Sequence, residues 1–347
     1  MSQAGESTLR LMLAPLQEWL DDAGVTEIVV NRPGEVGVEK GGAWAWQDVP
    51  ALGFDRLDSI ATLAAALSSQ DVGPERPLCA CSLPDGQRLQ VCRPPAVAAG
   101  TLSLTIRRPS GLRPTIAALA AGGLFASTEA AGNGAGERDA ELLALYRAGD
   151  WARFLPLAVA SRKTLLISGD TGSGKTTLAK ALIEAIPLDE RLVTIEDTAE
   201  FVGLPHRNRV ALLYSKGDQG LARVMPEDLI EAALRMRPDR VLMQELRDGA
   251  AFTFVRSVAA GHPGSITTCH ASSALGAFDA LRLMVKQHPA GRHLLDADVA
   301  ALLRSLVDVV VHCRKANGRF GVEEVLYPAA TAPAREASLP PALHAAE

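Results

Sequence analysis

Long apolar runs, a basic charge excess and regularly paired cysteines are all missing from this sequence. No run reaches the ~18 apolar residues that a membrane-spanning helix needs. No basic segment followed by an apolar core opens the chain, as a secretory signal would. The formal net charge of −5 over 347 residues argues against a broad nucleic-acid-binding surface. Together these absences predict a cytoplasmic protein.

The cysteines are few and scattered. Cys79-x-Cys81 followed by Cys92 lacks the C-x₂-C pairs that zinc sites use. Cys269 and Cys313 stand alone much further along the chain. We therefore expect reduced, partly buried thiols and no metal held by sulfur.

What the sequence does contain is a complete G-x-x-x-x-G-K-[ST] motif at residues 169–176, which we call the phosphate-binding loop. An apolar strand is predicted before it, at 164–168, and an amphipathic helix after it, at 177–183. Strand, loop and helix in this order aim backbone N–H groups and a positive helix end at a phosphate. The residues expected to contact nucleotide are Gly169, Asp170, Thr171, Gly172, Ser173, Gly174, Lys175, Thr176 and Thr177. We therefore predict that the chain binds a nucleoside triphosphate.

Individual residues of the loop have distinct expected roles. Gly172 and Gly174 allow the chain to turn tightly, because no Cβ stands in the way. Lys175 can reach the β and γ phosphates and is a predicted catalytic residue. The hydroxyl of Thr176 can bind Mg²⁺.

The length of the chain suits two domains. In the first half, helices are predicted at 9–22 and 54–69. Strands are predicted there at 26–31, 36–39, 43–47, 78–83, 88–93 and 101–107, a mixed α+β pattern. In the second half, strands predicted at 164–168, 191–195, 209–213, 240–244, 264–269 and 307–313 alternate with helices or loops. That alternation predicts an α/β domain with helices on both faces of a sheet.

Composition suggests where the domains divide. We predict an N-terminal α+β domain at 1–125 and a linker at 126–150 that includes a Gly- and Ala-rich stretch. The α/β domain with the phosphate-binding loop follows at 151–330. An Ala- and Pro-rich tail at 331–347 is predicted to be disordered.

Hydrolysis requires an acidic group beside the bound phosphates. Glu245 follows the strand predicted at 240–244, so its carboxylate can hold the Mg²⁺ shell or orient the attacking water. Glu196 and Glu200 follow the strand predicted at 191–195 and suit Mg²⁺ or water positioning. The first turn of a solvent-exposed helix is often rich in Glu and Asp, so the acidic residues at 196–200 could equally mark a helix start.

A histidine completes the candidate site. His270 follows the strand predicted at 264–269 and can sense the γ phosphate or bind a product oxygen. The spacing His262-x₆-Cys269-His270 is not a recognised zinc motif, which disfavours a metal here.

The order of these motifs resembles the type II/type IV secretion ATPase superfamily, and within it the hexameric traffic ATPases of bacterial type IV secretion systems. The segments that carry this resemblance are 169–176, 194–200, 234–240, 244–248 and 261–271, with 25–35 and 103–110 in the N-terminal half. It extends over nearly the whole chain, to about residue 328.

The resemblance implies a RecA-like P-loop ATPase domain preceded by an N-terminal domain that senses and docks, in a homohexameric ring. The implied function is an ATP-hydrolysing motor, using ATP and Mg²⁺, whose domain motions drive pilus biogenesis and transfer of DNA or protein. The implied partners are inner-membrane secretion-channel components, reached by peripheral association with the inner face of the cytoplasmic membrane.

Site residues are also implied by the resemblance. Arg107 and Arg108 match N-domain arginines that neutralise the phosphates. Glu196 matches a catalytic acid, while Thr176, Glu245 and Glu200 are the metal-site candidates.

Two other functions remain open on the sequence alone: a pilus assembly or retraction motor, and a nucleotide-gated scaffold that barely hydrolyses ATP. Gln244 gives the scaffold some support, because the family commonly has Gly at this position. A side chain there can narrow the space for the attacking water.

Overall fold

Two β-sheets organise the chain. The computed structural model describes residues 3–109, 114–128, 137–215 and 220–331. The predicted disordered tail at 331–347 lies almost wholly outside the described residues, as does the Gly-rich centre of the predicted linker. The division into domains therefore stays a prediction. Within the described ranges, no helix has the length and apolarity needed to cross a membrane.

The first sheet is antiparallel and has the strand order β3-β2-β1-β6-β5-β4. Its strands are β1 Val25–Val30, β2 Glu35–Lys40, β3 Ala43–Asp48, β4 Leu78–Ser82, β5 Arg88–Cys92 and β6 Ser103–Arg107. Four helices accompany it in the chain: α1 Gln3–Leu13, α2 Gln17–Asp21, α3 Phe54–Leu67 and α4 Ile116–Ala121. All six predicted strands are confirmed to within about two residues.

The continuous helix predicted at 9–22 is wrong. Helix α1 ends at Leu13, a 3₁₀ turn spans Ala14–Leu16, and α2 then begins. Pro15 lies in that turn, where its missing N–H and its ring prevent the α-helical hydrogen-bond ladder from continuing. Helix α3 buries Leu57, Ile60 and Ala64 on one face, at the spacing of an amphipathic helix.

The second sheet has the order β13-β12-β7-β11-β10-β8-β9 and is parallel except for β13. Its strands are β7 Leu165–Gly169, β8 Leu192–Glu196, β9 Arg209–Leu213, β10 Arg240–Leu246, β11 Ile266–Cys269, β12 Val309–Ala316 and β13 Arg319–Leu326. Its helices are α5 Glu137–Ala148, α6 Trp151–Ala160, α7 Lys175–Glu184, α8 Pro226–Leu234, α9 Ala250–Ala259, α10 Ala274–Gln287, α11 Asp296–Leu306 and α12 Pro328–Thr331. The predicted α/β architecture is confirmed.

Strand β13 is the one strand of this sheet that the sequence analysis missed. Most of its residues are exposed, so it lacks the apolar run or clean alternation that marks a buried strand. The available signal was Asn317-Gly318, a dipeptide typical of two-residue hairpin turns. Both residues have positive φ, 51° and 78°, and they join β12 to β13.

A buried arginine connects the two sheets. Arg191, which is fully buried, donates from Nη1 to Asn31 Oδ1 at 2.8 Å and from Nη2 to Thr105 Oγ1 at 3.2 Å, both on the first-sheet side. Its Nε donates to the Met236 carbonyl at 2.7 Å. Burial lowers the pKa of this guanidinium to about 10, which leaves it charged near neutrality. A buried charge of this kind is tolerable only when hydrogen-bonded, so these bonds stabilise the contact between the two halves in this arrangement.

Candidate nucleotide site

The phosphate-binding loop joins β7 to α7, as the sequence predicts. Strand β7 lies between β12 and β11 in the sheet. Gly172 and Gly174 adopt φ of 74° and 90°, the left-handed region that favours glycine. Helix α7 begins directly after them, at Lys175. The loop therefore brings backbone N–H groups together at a helix N-terminus, which is an anion-binding arrangement.

Lys175 is held inside this loop. Its Nζ donates to the carbonyl oxygens of Gly169 and Asp170, each at 2.8 Å. Burial lowers the pKa of its ammonium group, and the nearby carboxylate of Glu245 opposes that shift. The ammonium group is thus already held at the loop. To bind a phosphate, it would exchange these carbonyl oxygens for phosphate oxygens.

The loop forms one wall of a cavity of about 510 Å³, a size suited to a small-molecule ligand. The predicted site residues that line it are Thr171, Gly172, Ser173, Gly174, Lys175, Thr176, Thr177, Glu200, Glu245 and His270. Five further residues that line it were not predicted as site residues: Asp197, Thr198, Arg247, Thr268 and Phe320; Gln244 was noted only as a departure. Gly169 and Asp170 form the base of the loop instead.

A bulge in β10 turns two consecutive side chains toward this cavity. Met243 pairs with Thr267 and Leu246 with Cys269, so two residues of β10 stand opposite the single Thr268. In a regular strand Gln244 and Glu245 would point to opposite faces. Because of the bulge, both line the same cavity.

Glu245 lies between a histidine and an arginine. Its Oε1 lies 2.8 Å from His270 Nε2, and its Oε2 is paired with Arg247. The side chain is 15% exposed, so the carboxylate is sheltered but still reaches the cavity. This matches the predicted meeting of Glu245, His270 and the phosphate-binding loop. Arg247 lies in the segment 244–248 that carries the resemblance, but no role was predicted for it, because its pairing with Glu245 depends on a distance that the sequence does not show.

Glu196 has a different environment. Its side chain is buried, and its Oε1 accepts from the Thr194 hydroxyl at 2.6 Å. Its Oε2 accepts from the backbone N–H groups of Glu200 and Phe201, both at 2.8 Å. It does not line the cavity. Both oxygens are therefore already hydrogen-bonded, and Oε2 holds the segment that presents Glu200.

Gln244 belongs to the same arrangement. Its Oε1 accepts from the backbone N–H of Asp197 at 3.1 Å, which joins β10 to the segment after β8. Its own carbonyl accepts from the Thr268 hydroxyl at 2.8 Å. The Gln244 side chain, which lines the cavity, therefore also holds the segment after β8 in place.

We expect Gln244→Ala to lower kcat about 2- to 10-fold, because the variant loses the hydrogen bond to the backbone of Asp197 and so holds the segment 196–200 less firmly. Steady-state ATP hydrolysis measures the effect, and KM for ATP should change less. Gln244→Glu keeps an acceptor oxygen at the same reach and serves as the matched variant. A faster Gln244→Ala enzyme would mean that the side chain only obstructs water.

Arg107 and Arg108 are not brought to this cavity within the chain. Arg107 lines a separate cavity with Arg88 and Arg235, and its Nε lies 3.8 Å from the carboxylate of Glu27. Burial raises the pKa of Glu27 to about 7. Arg108 donates to the backbone carbonyl of Asp22. The end of β6 therefore lies near the end of α8, away from the phosphate-binding loop, and the role of Arg107 and Arg108 at the phosphates stays a prediction.

The class of this protein is defined by a glycine-rich loop that joins a parallel strand to a helix and faces a carboxylate on β10, the next strand but one in the same sheet. It is a P-loop ATPase with a RecA-like domain. Residues 143–338 match the family described as Type II/IV secretion system protein.

Individual relatives narrow the assignment. The chain is 44% identical over 326 residues to the type IV secretion system protein VirB11 of Bartonella henselae, covering 91% of each chain. It is 45% identical to Protein VirB11 of Agrobacterium fabrum, covering 91% of this chain and 92% of that one. The solved VirB11 ATPase from the Brucella suis type IV secretion system, crystallised with sulphate, superposes with a TM-score of 0.89 at 41% identity, covering 94% and 96% of the two chains.

The chain belongs to the VirB11 family of type IV secretion ATPases. Matches at this identity over about nine-tenths of both chains favour the type IV secretion ATPase over a pilus assembly or retraction motor. The predicted fold, ATPase activity and secretion-system assignment are confirmed.

Proposed function

We propose that the chain hydrolyses ATP in the cavity beside the phosphate-binding loop and converts each cycle into movement of its N-terminal half. The observation that carries the proposal is the geometry of that cavity. It has loop amides and a buried lysine on one wall and a sheltered carboxylate on the other. Its walls come from separate strands of one sheet, so bound ATP would bridge them.

Three residues would carry the chemistry. Lys175 would leave the carbonyls of Gly169 and Asp170 and bind the β and γ phosphates. Glu245, fixed by His270 and Arg247, would orient the attacking water and take up its proton. His270, which is half exposed, would contact a γ-phosphate oxygen from the same side.

Mg²⁺ fits the residues present. The hydroxyl of Thr176 and the carboxylates of Glu245 and Glu200 line the same cavity, and oxygen ligands of this kind are those Mg²⁺ prefers. Among the described residues, no cluster of His, Cys, Asp and Glu could hold a metal by itself. An ion held by Thr176, Glu245 and Glu200 would neutralise charge on the substrate phosphates.

Glu196 is better assigned as a positioning residue than as a catalytic one. Both of its oxygens are already used by Thr194 and by the backbone at Glu200 and Phe201. It would act by holding Glu200 at the cavity.

The motor would work as a homohexamer bound peripherally at the inner face of the cytoplasmic membrane. Its partners would be inner-membrane secretion-channel components, and its transferred substrate DNA or protein. The domain division at 1–125, 126–150, 151–330 and 331–347 would allow the two halves to move about the linker as rigid bodies. The resemblance to the secretion ATPases supports this assembly.

Mass and turnover measured together on the full chain test the proposal. We expect light scattering in ATP and Mg²⁺ to give six times the 36.6 kDa of one chain, and turnover per chain to rise with assembly. A chain that hydrolyses ATP equally well as a monomer would contradict the ring. An assembled ring that binds ATP without measurable turnover would favour the scaffold.

A further inference from the structure

Phe320 is an exposed aromatic residue that lies directly against the phosphate-binding loop. A Cβ built on Gly174 would lie 2.4 Å from Phe320 Cδ2 and 2.6 Å from Cγ. The side chain is 56% exposed and belongs to none of the three hydrophobic clusters. No other ring in the described part of the chain stacks on it. An unburied phenylalanine lining a cavity has apolar surface left to cover.

The backbone holds this residue in place. Strand β12 pairs with β7 up to Cys313 and Gly169, and then continues beyond the sheet beside the loop. Phe320 follows the turn and pairs with Lys315 on the returning strand. Arg314, in the same hairpin, pairs with Glu323 at 2.8 Å. The ring is thus carried by a paired hairpin that is anchored to the strand ending in the phosphate-binding loop.

Strand order separates the polar and apolar sides of the cavity. Strands β11, β10 and β8 lie on one side of β7 and supply His270, Glu245 and Glu200, at or just after their ends. Strands β12 and β13 lie on the other side and supply Phe320. ATP has the same asymmetry, with a charged triphosphate at one end and a flat base at the other.

We propose that Phe320 is the nucleobase-binding residue of this ATPase, with the base stacked on its ring and the γ phosphate directed toward Glu245. The proposal rests on the nucleotide site proposed above and gives it an orientation. It also explains a requirement for glycine at position 174 beyond its φ of 90°, since any side chain there would collide with the ring.

Calorimetric binding of ADP and of inorganic pyrophosphate, each with Mg²⁺, tests this on the full chain. Both ligands carry phosphates, but only ADP has a base. We expect Phe320→Ala to weaken ADP binding about 5- to 100-fold, while pyrophosphate binding changes less than about twofold. Phe320→Trp should retain ADP affinity, because a larger π face remains.

Val322→Ala is the matched control. Val322 is exposed on the same face of β13, two residues further on, and does not line the cavity. It should leave both affinities and the melting temperature unchanged. Equal weakening of ADP and pyrophosphate by Phe320→Ala would overturn the proposal, as would unchanged ADP binding. Tighter binding of both ligands would mean that the ring covers the loop instead.

Failure of the nucleotide site itself gives a different result. Lys175→Ala should weaken ADP and pyrophosphate together, because both use the loop. If the unaltered chain binds neither ligand, the proposed function fails along with the inference. If it binds both and only the Phe320 effect is absent, the base-binding role alone is wrong.

Discussion

Lys175→Ala is expected to reduce ATP hydrolysis at least about 100-fold while the chain remains folded. The Lys175 ammonium is the one positively charged group of the phosphate-binding loop. No other side chain of the loop can replace it at the β and γ phosphates. In the folded chain its Nζ donates to the carbonyls of Gly169 and Asp170, so removing it takes away a cation without removing a contact to another strand or helix. Steady-state phosphate release at saturating ATP is the measurement, with the melting temperature as a check on folding.

Lys180→Ala is the matched control, because Lys180 lies on the same helix, α7, but does not line the cavity. It should retain activity within about twofold, as surface changes away from a site usually do. A Lys175→Ala chain that keeps full activity would show that hydrolysis occurs elsewhere and would remove the assignment of this loop.

Glu245→Gln is expected to lower kcat about 100- to 10,000-fold and to leave ADP affinity nearly unchanged. The amide keeps the shape of the carboxylate but cannot accept the proton of the attacking water. It also loses the charge that pairs with His270 and Arg247. Single-turnover hydrolysis and ADP titration separate the chemical step from binding.

Two comparisons sharpen that result. Glu196→Gln should reduce activity less than Glu245→Gln and should lower the melting temperature, because its oxygens hold backbone groups instead of facing substrate. Glu184→Gln, at the exposed end of α7, should change neither quantity. If Glu196→Gln lowered ATP hydrolysis as much as Glu245→Gln and left the melting temperature unchanged, Glu196 would be a catalytic residue after all.

Much of this site could be predicted because its signals are local. The spacing of Gly172, Gly174, Lys175 and Thr176 defines a loop whatever surrounds it. Glu245 and His270 could be placed near it because parallel strands end at one edge of a sheet. These inferences needed only strand direction and the position of each residue after its strand.

Other features depend on distances that no motif records. Gln244 and Glu245 share a cavity only because two residues of β10 stand opposite Thr268. The Glu196 carboxylate does not line the cavity, because it is held by three hydrogen bonds that it accepts from Thr194, Glu200 and Phe201. Neither fact can be obtained from spacing, since acidic residues at a strand end look alike whether they face solvent or backbone.

The amino-acid sequence by itself determined the nucleotide chemistry, the α/β class and the family of this protein. Those follow from short-range patterns and from the order of motifs along the chain. Only the tertiary structure decided which side chains meet. In that structure Arg107 lies at another cavity, Arg191 connects the two halves, and Phe320 lies against Gly174. Such contacts join residues far apart in the chain, and packing of complete strands and helices sets their distances.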